Sequence, residues 1–247
     1  MSAQQRRIRV LVVDDSAIVR KVLGDIVSAQ PDLEVVGTAP DPYVARDKIL
    51  ALSPDVLTLD IEMSRMDGLT FLDRVMRYHP MPVIIISSLT QSSTKAALEA
   101  MSKGAVDVVA KPGGPYSVGD LREDLPRRIR AAARARQVSP QPARTPQRPV
   151  VAPAVTRAAP NRLIVIGAST GGTQAIEQVL TALPASMPPI LVTQHIPAGF
   201  SAAFAERLNR ICQLEVSEAR GGESLREGLA LIAPGNFHLV LEMTSNG

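Results

Sequence analysis

The feature that most constrains this chain is a repeated alternation of short apolar runs with amphipathic stretches of helical period. Ile8-Arg9-Val10-Leu11-Val12-Val13 is followed by a helical pattern, and the sequence repeats that sentence along its first half. Apolar runs that need burial on both faces, separated by helix-length segments, predict parallel strands joined by crossover helices. Strands are expected at Ile8–Val13, Glu34–Thr38, Val56–Leu59, Pro82–Ile86 and Val106–Ala110. Helices are expected at Ala17–Ala29, Tyr43–Leu52, Leu69–Arg77, Thr94–Lys103 and Asp120 to Arg136. Five such units predict one doubly wound α/β domain over residues 1–136.

The pattern then stops. Val138–Pro160 holds six prolines and three arginines and no acid, so residues 137–160 are expected to form an extended linker. It resumes at Arg162, with strands expected at Leu163–Gly167, Ile190–Gln194, Leu214–Glu218, Ala230–Ile232 and His238–Leu241. Helices are expected at Thr173–Leu183 and Ala202–Arg210, giving a second parallel α/β domain over residues 161–247. That stretch is short for a doubly wound hydrolase domain, so it reads as an incomplete, Rossmann-like one.

Composition narrows the setting. A single cysteine, Cys212, forbids an internal disulfide and fits a reducing compartment. The start is polar and basic, and Val10–Val13 is too short for a signal core or a membrane span. A cytoplasmic protein without direct membrane insertion is expected. The net charge of +3 is small and its arginine excess sits between the two domains. With no helix-turn-helix pattern after the linker, a nucleic-acid partner is not expected.

Two sets of residues carry chemistry. Asp14 and Asp15 end the first strand and Asp60 ends the third, and in an open parallel sheet these ends converge on one edge. Three gathered carboxylates call for a cation, and hard oxygen ligands suit Mg²⁺. Ser87 or Ser88 closes the fourth strand, and Lys111 with Pro112 closes the fifth. A hydroxyl and an ammonium there are suited to hold a phosphoryl group on Asp60. The second set begins where Leu163–Gly167 meets Ala168-Ser169-Thr170-Gly171-Gly172 and a helix follows. Gly-x-Ser-x-Gly on a strand-turn-helix holds a serine exposed for nucleophilic attack, beside helix N–H groups that stabilise an oxyanion. His195, in Gln194-His195-Ile196-Pro197, ends the next strand and is placed to act as base toward Ser169. A dinucleotide fingerprint would need glycine where Ser169 stands, and a phosphate-binding P-loop would need Gly-Lys-Ser/Thr, which is absent. His79 and His238 receive no role.

On these motifs, Asp14-Asp15, Asp60-Ile-Glu-Met-Ser-Arg-Met-Asp67-Gly68, Ser87-Ser88 and Lys111-Pro112, residues 8–136 resemble a response-regulator receiver domain. The resemblance implies Asp60 as phosphoacceptor, Mg²⁺ held by Asp14, Asp15, Asp60 and the Glu62 carbonyl, Ser87 as switch hydroxyl and Lys111 as phosphate-binding lysine. Ser64 stands where that family usually has proline, and Val108 where an aromatic side chain commonly relays phosphorylation outward.

The two halves together resemble the chemotaxis protein-glutamate methylesterase/protein-glutamine glutaminase family. The added motifs are Ile166-Gly-Ala-Ser169-Thr170-Gly-Gly, Gln194-His195-Ile-Pro-Ala-Gly-Phe200-Ser and Gly221-Gly-Glu-Ser-Leu-Arg-Glu-Gly228 leading to Pro234-Gly235-Asn236. The resemblance implies a phosphorylation-regulated hydrolase of glutamyl methyl esters and glutamine amides on methylated chemoreceptors, with a sensor histidine kinase as phosphodonor. Ser169 would be nucleophile, His195 base and Thr170 part of the pocket, with no cofactor at the esterase site. The family's third catalytic residue, an aspartate in a glycine-rich segment, would fall beyond Gly247. The chain as given is therefore expected to be a C-terminally truncated, inactive form. The rival expectation is a receiver module that only binds and competes for the kinase.

Overall fold

The computed structural model describes residues 6–64, 66–88, 90–111, 118–135 and 162–242. The chain divides into two compact units, Met1–Val138 and Ser139–Gly247. The expected linker, Pro112 and the last residues, 243–247, lie outside the described residues.

In the first unit, strands β1 (Ile8–Val13), β2 (Leu33–Ala39), β3 (Val56–Asp60), β4 (Val83–Ser87) and β5 (Asp107–Ala110) alternate with α1 (Ala17–Ser28), α2 (Pro42–Leu52), α3 (Gly68–Tyr78), α4 (Gln91–Ser102) and α5 (Val118–Ala135). All pairings are parallel, in the order β2-β1-β3-β4-β5. The order reverses at β1, so the carboxyl ends of β1 and β3 flank the crevice where open α/β sheets bind ligands. Val10, Val12, Val56, Ile84 and Ile86 are buried on one face against Leu23 and Val27 of α1 and Leu121, Leu125 and Ile129 of α5. The strands are apolar throughout because helices cover both faces.

Helix α4 starts three residues before the expected Thr94. Thr90 caps it by accepting a hydrogen bond from the Ser93 N–H, so a hydroxyl-rich stretch that reads as loop is the helix's first turn. Helix α5 carries the fully buried Arg128. Its Nη1 lies 2.5 Å from Asp107 on β5 and its Nε 2.6 Å from Asp124 one turn back.

In the second unit, β6 (Ile164–Ala168), β7 (Ile190–Gln194), β8 (Glu215–Glu218) and β9 (Leu229–Ile232) form a parallel sheet ordered β6-β7-β9-β8, with α6 (Gly172–Thr181) and α7 (Phe200–Ile211). Ile176 and Leu180 of α6 and Phe200, Phe204 and Leu208 of α7 are buried. Leu191, Leu229 and Leu231 pack with Ala219 and the half-buried Leu163, Leu225 and Leu239. The expected strand at His238–Leu241 does not form. The chain turns at Asn236, at φ 67°, and Leu239 packs on the core while Phe237, Val240 and Leu241 stay exposed. Apolar alternation alone did not make a strand: the segment pairs with neither edge of the sheet, β6 or β8. No described helix is long and apolar enough to cross a membrane.

Candidate functional site

In the first unit the acidic set gathers as the strand ends require. Asp14 and Asp60 are fully buried and Asp15 is exposed, and one oxygen from each lies within 4.8 Å of the others. The Ser16 N–H donates to Asp14 Oδ1 at 2.8 Å and the Glu62 N–H to Asp60 Oδ1 at 3.0 Å. Lys111 Nζ sits 2.7 Å from Asp60 Oδ2 and 3.2 Å from Asp14 Oδ2. Burial pushes the Asp60 carboxyl up to about 6, opposed by the Lys111 hydrogen bond and reinforced by the Asp14 charge. Asp14 is raised for the same first reason, against Lys111 and the Ser16 N–H. Burial alone would depress the Lys111 ammonium, but the bond and charge of Asp60, with the charge of Asp14, hold it above its ordinary value. Apart from its ion pair with Lys111, the buried Asp14 Oδ2 has no hydrogen-bond partner among the described residues. Together with its carboxylate neighbours, that oxygen fits a hard divalent cation.

Local sequence makes this geometry. Asp67 caps α3 through the Thr70 N–H. A Cβ on Gly68 would lie 2.3 Å from the Asp60 carbonyl, so only glycine lets α3 start this close to the acceptor strand. Arg20 Nη1 donates to the carbonyls of Asp14 and Asp15 at 2.7 and 2.9 Å, a support the sequence reading missed. Its signal was an arginine in the first turns of the helix that follows the acidic pair.

The expected switch hydroxyl, Ser87, is fully buried at the end of β4. Its Oγ donates to the carbonyls of Ser88 and Ser93, at 3.1 and 3.3 Å, and so engages the first turn of α4. The Glu62 side chain, also missed, accepts from Ser93 at 2.5 Å and Ser88 at 2.9 Å. Those bonds, Ser93 first, hold its carboxyl below the usual range. Val108 is buried on β5, and its carbonyl accepts from Arg128.

In the second unit, β6 and β7 run in register with Ala168 opposite Gln194, and the His195 N–H donates to the Ala168 carbonyl at 3.1 Å. Ser169 and His195 are therefore the first residues past two neighbouring strand ends. Ser169 is exposed, and Thr170 and His195 are half-buried. Gly171 takes φ 78° at the N-cap of α6, a left-handed conformation suited to glycine, and no side chain caps the helix. After β9, Gly235 lies close against the Ile196–Ala198 backbone, where a Cβ would come within 2.7 Å of the Ile196 carbonyl. Ser201 Oγ donates to Glu218 Oε1 at 2.5 Å and accepts from the Gly235 N–H at 2.9 Å. A serine exposed at a helix start beside a histidine suits acyl transfer.

Comparisons with known proteins bear on both units. Residues 164–247 match the model of the CheB methylesterase family, and residues 10–121 that of the response regulator receiver domain. The protein-glutamate methylesterase/protein-glutamine glutaminase 2 of Syntrophus aciditrophicus is 56% identical over 95% of this chain and 69% of its own length. The corresponding protein 4 of Anaeromyxobacter dehalogenans is 52% identical over 96% and 67%. Among solved structures, the response regulator domain of Thermotoga maritima CheB is 45% identical, with a TM-score of 0.48, over 52% of this chain and 98% of that one.

Proposed function

The chain belongs to the CheB methylesterase family, with a receiver domain ahead of the esterase region, and from that premise we propose that it is a protein-glutamate methylesterase and protein-glutamine glutaminase governed by phosphorylation of Asp60. The observation that carries the esterase reading is the register of β6 and β7, which sets Ser169 and His195 side by side past adjacent strand ends.

Ser169 Oγ attacks the side-chain carbonyl carbon of a methylated glutamate while His195 takes the hydroxyl proton. The tetrahedral oxyanion is met by N–H groups at the start of α6, with Thr170 shaping the pocket. The C–O bond to the methyl group's oxygen then breaks, and methanol leaves carrying the proton from His195. Water, deprotonated by His195, attacks the acyl-serine and releases the glutamate carboxylate. A glutamine substrate loses ammonia by the same steps. The substrates are methylated chemoreceptors, met by a cytoplasmic protein.

In the receiver, the Asp60 carboxylate attacks the phosphorus of a phosphohistidine on a sensor kinase; the P–N bond breaks and an acyl phosphate forms. Asp14, Asp15 and Asp60, with the Glu62 carbonyl, would hold Mg²⁺, which supplies positive charge to the oxygens of the transferred group. Lys111 holds the phosphoryl oxygens, and Ser87 turns from α4 toward them. The domains assigned to these tasks are residues 1–136 and 161–247, joined by the proline- and arginine-rich segment 137–160.

The test is methanol release from methylated receptor, with and without a small phosphodonor, by a chain extended through the aspartate-bearing segment that the family resemblance implies. The expected result is release that rises with phosphodonor, is lost in Ser169→Ala, and no longer responds in Asp60→Asn. Asp60 phosphorylation without any ester hydrolysis would identify a phosphoacceptor module instead.

A further inference from the structure

Gln194 ends β7 immediately before His195, and only 8% of it is exposed. Its side-chain Nε2 donates to the Ser169 carbonyl at 2.9 Å and to the His195 carbonyl at 3.3 Å. Both protons of one amide are thus spent on the backbone of the two residues assigned to the chemistry. The Ser169 carbonyl also receives the Gly172 N–H at 2.6 Å. The last bond between the two strands is that of the His195 N–H to the Ala168 carbonyl, and beyond it these side-chain bonds hold the Ser169 and His195 carbonyls.

The neighbourhood is built around this amide. A Cβ on Gly172 would lie 2.0 Å from Gln194 Oε1. Gly172 is the first helical residue of α6 and its φ is not positive, so its backbone does not call for glycine. A side chain there would meet both the Gln194 amide and the Ala168 Cβ, the latter at 2.7 Å. The buried Oε1 accepts no hydrogen bond among the described residues. An apolar side chain of the same length would fill the site without that cost. Packing therefore does not account for glutamine at this position, whereas its two donated bonds do.

We propose that Gln194 is a positioning residue that clamps the Ser169 and His195 carbonyls together and thereby fixes the nucleophile turn against the base. The inference rests on the reading of Ser169 and His195 as nucleophile and base. Because peptides are planar and trans, holding the Ser169 carbonyl toward Gln194 also fixes which way the whole Ser169–Thr170 peptide faces. Misplacement of reacting groups by about 1 Å costs on the order of 100-fold in rate, so the loss should fall on kcat.

The experiment uses the chain extended through the aspartate-bearing segment that the family resemblance implies, carrying Gln194→Met or Gln194→Glu, with Ser169→Ala as control. Methanol release from methylated receptor is followed against pH, and amide hydrogen exchange is followed across residues 164–195. Gln194→Met should lower kcat about 10- to 100-fold at every pH with KM changed less than about twofold. Gln194→Glu has a proton to donate only while its carboxyl is neutral, so its rate relative to the parent should fall as pH rises from about 5 to 8. The Gly172 amide, bonded to the clamped carbonyl, should exchange faster in Gln194→Met while the β7 amides do not change. That readout does not depend on turnover. Unchanged exchange at Gly172, or a parent-like kcat in Gln194→Met, overturns the clamp, as does a Gln194→Glu loss that is the same at every pH. Turnover that survives Ser169→Ala overturns the nucleophile assignment instead, which separates the two failures.

Discussion

At the scale of single residues, Asp60 holds a conflict. Its carboxyl is fully buried with Asp14 beside it, and one ammonium, Lys111, answers both charges. Burial wins, and the group titrates at about 6 rather than near 3.8. A carboxyl raised in the folded state binds its proton more tightly there than when unfolded. Its stabilising contribution is therefore present below the unfolded value and is lost as pH rises through about 6. In metal-free protein above pH 7, Asp60→Asn should stabilise the first unit, by on the order of 3 kcal/mol at most. The gap should close as pH falls toward 4. Denaturant unfolding in a chelator at pH 8 and pH 4 checks this, and a destabilised asparagine variant at pH 8 would contradict it. The sequence disclosed Asp14, Asp15, Asp60 and Lys111 because each directly follows or ends an apolar run. It did not disclose Arg20, the Glu62 side chain or Gln194, whose partners are backbone carbonyls or hydroxyls on other segments. A carbonyl carries no sequence signature, so a side chain that serves one is invisible until the chain is folded.

At the scale of elements, strand and helix cores were legible and their ends were not. Apolar runs marked β1, β3, β4 and β7 because burial on both faces leaves little freedom of composition. The start of α4 was hidden because Thr90, Ser92 and Ser93 are as suited to a loop as to a cap. The missing strand at His238–Leu241 is a different case: its pattern was right, but the segment pairs with neither edge strand, β6 or β8, and docks on the core through Leu239. Helix α5 docks through its apolar face and through Arg128, which lies between Asp107 and Asp124 in the interior. An arginine in a run of arginines gave no hint of this burial. Its removal would take this buried guanidinium from Asp107 and leave Asp124 paired with the exposed Arg127. Arg128→Met should cost about 3–5 kcal/mol, measured by denaturant unfolding. A loss below about 1 kcal/mol would mean that the ion pairs are dispensable for holding α5 on β5.

At the scale of the whole molecule, the two units have separate cores, one built on Val10, Ile84, Leu121 and Ile129 and the other on Leu191, Leu229 and Leu231. Calorimetry should resolve two unfolding transitions. Asp60→Asn should move one and Phe204→Ala, which empties a buried site in α7, should lower the other by about 3–5 kcal/mol. A single transition moved by both variants would show that the units unfold together. The sequence by itself determined the parallel α/β character of both halves, the order of their elements and which residues stand at strand ends. It could do so because periodicity and burial are written locally, one apolar run at a time. Only the tertiary structure decided which strand ends are neighbours, that the Ser87 hydroxyl faces α4, and that Gln194 holds Ser169 and His195 by their carbonyls. Whether these residues are distant in the chain, as Gln194 and Ser169 are, or only a few positions apart, as Ser87 and Ser93 are, the geometry is set by register and packing rather than by any local run of residues.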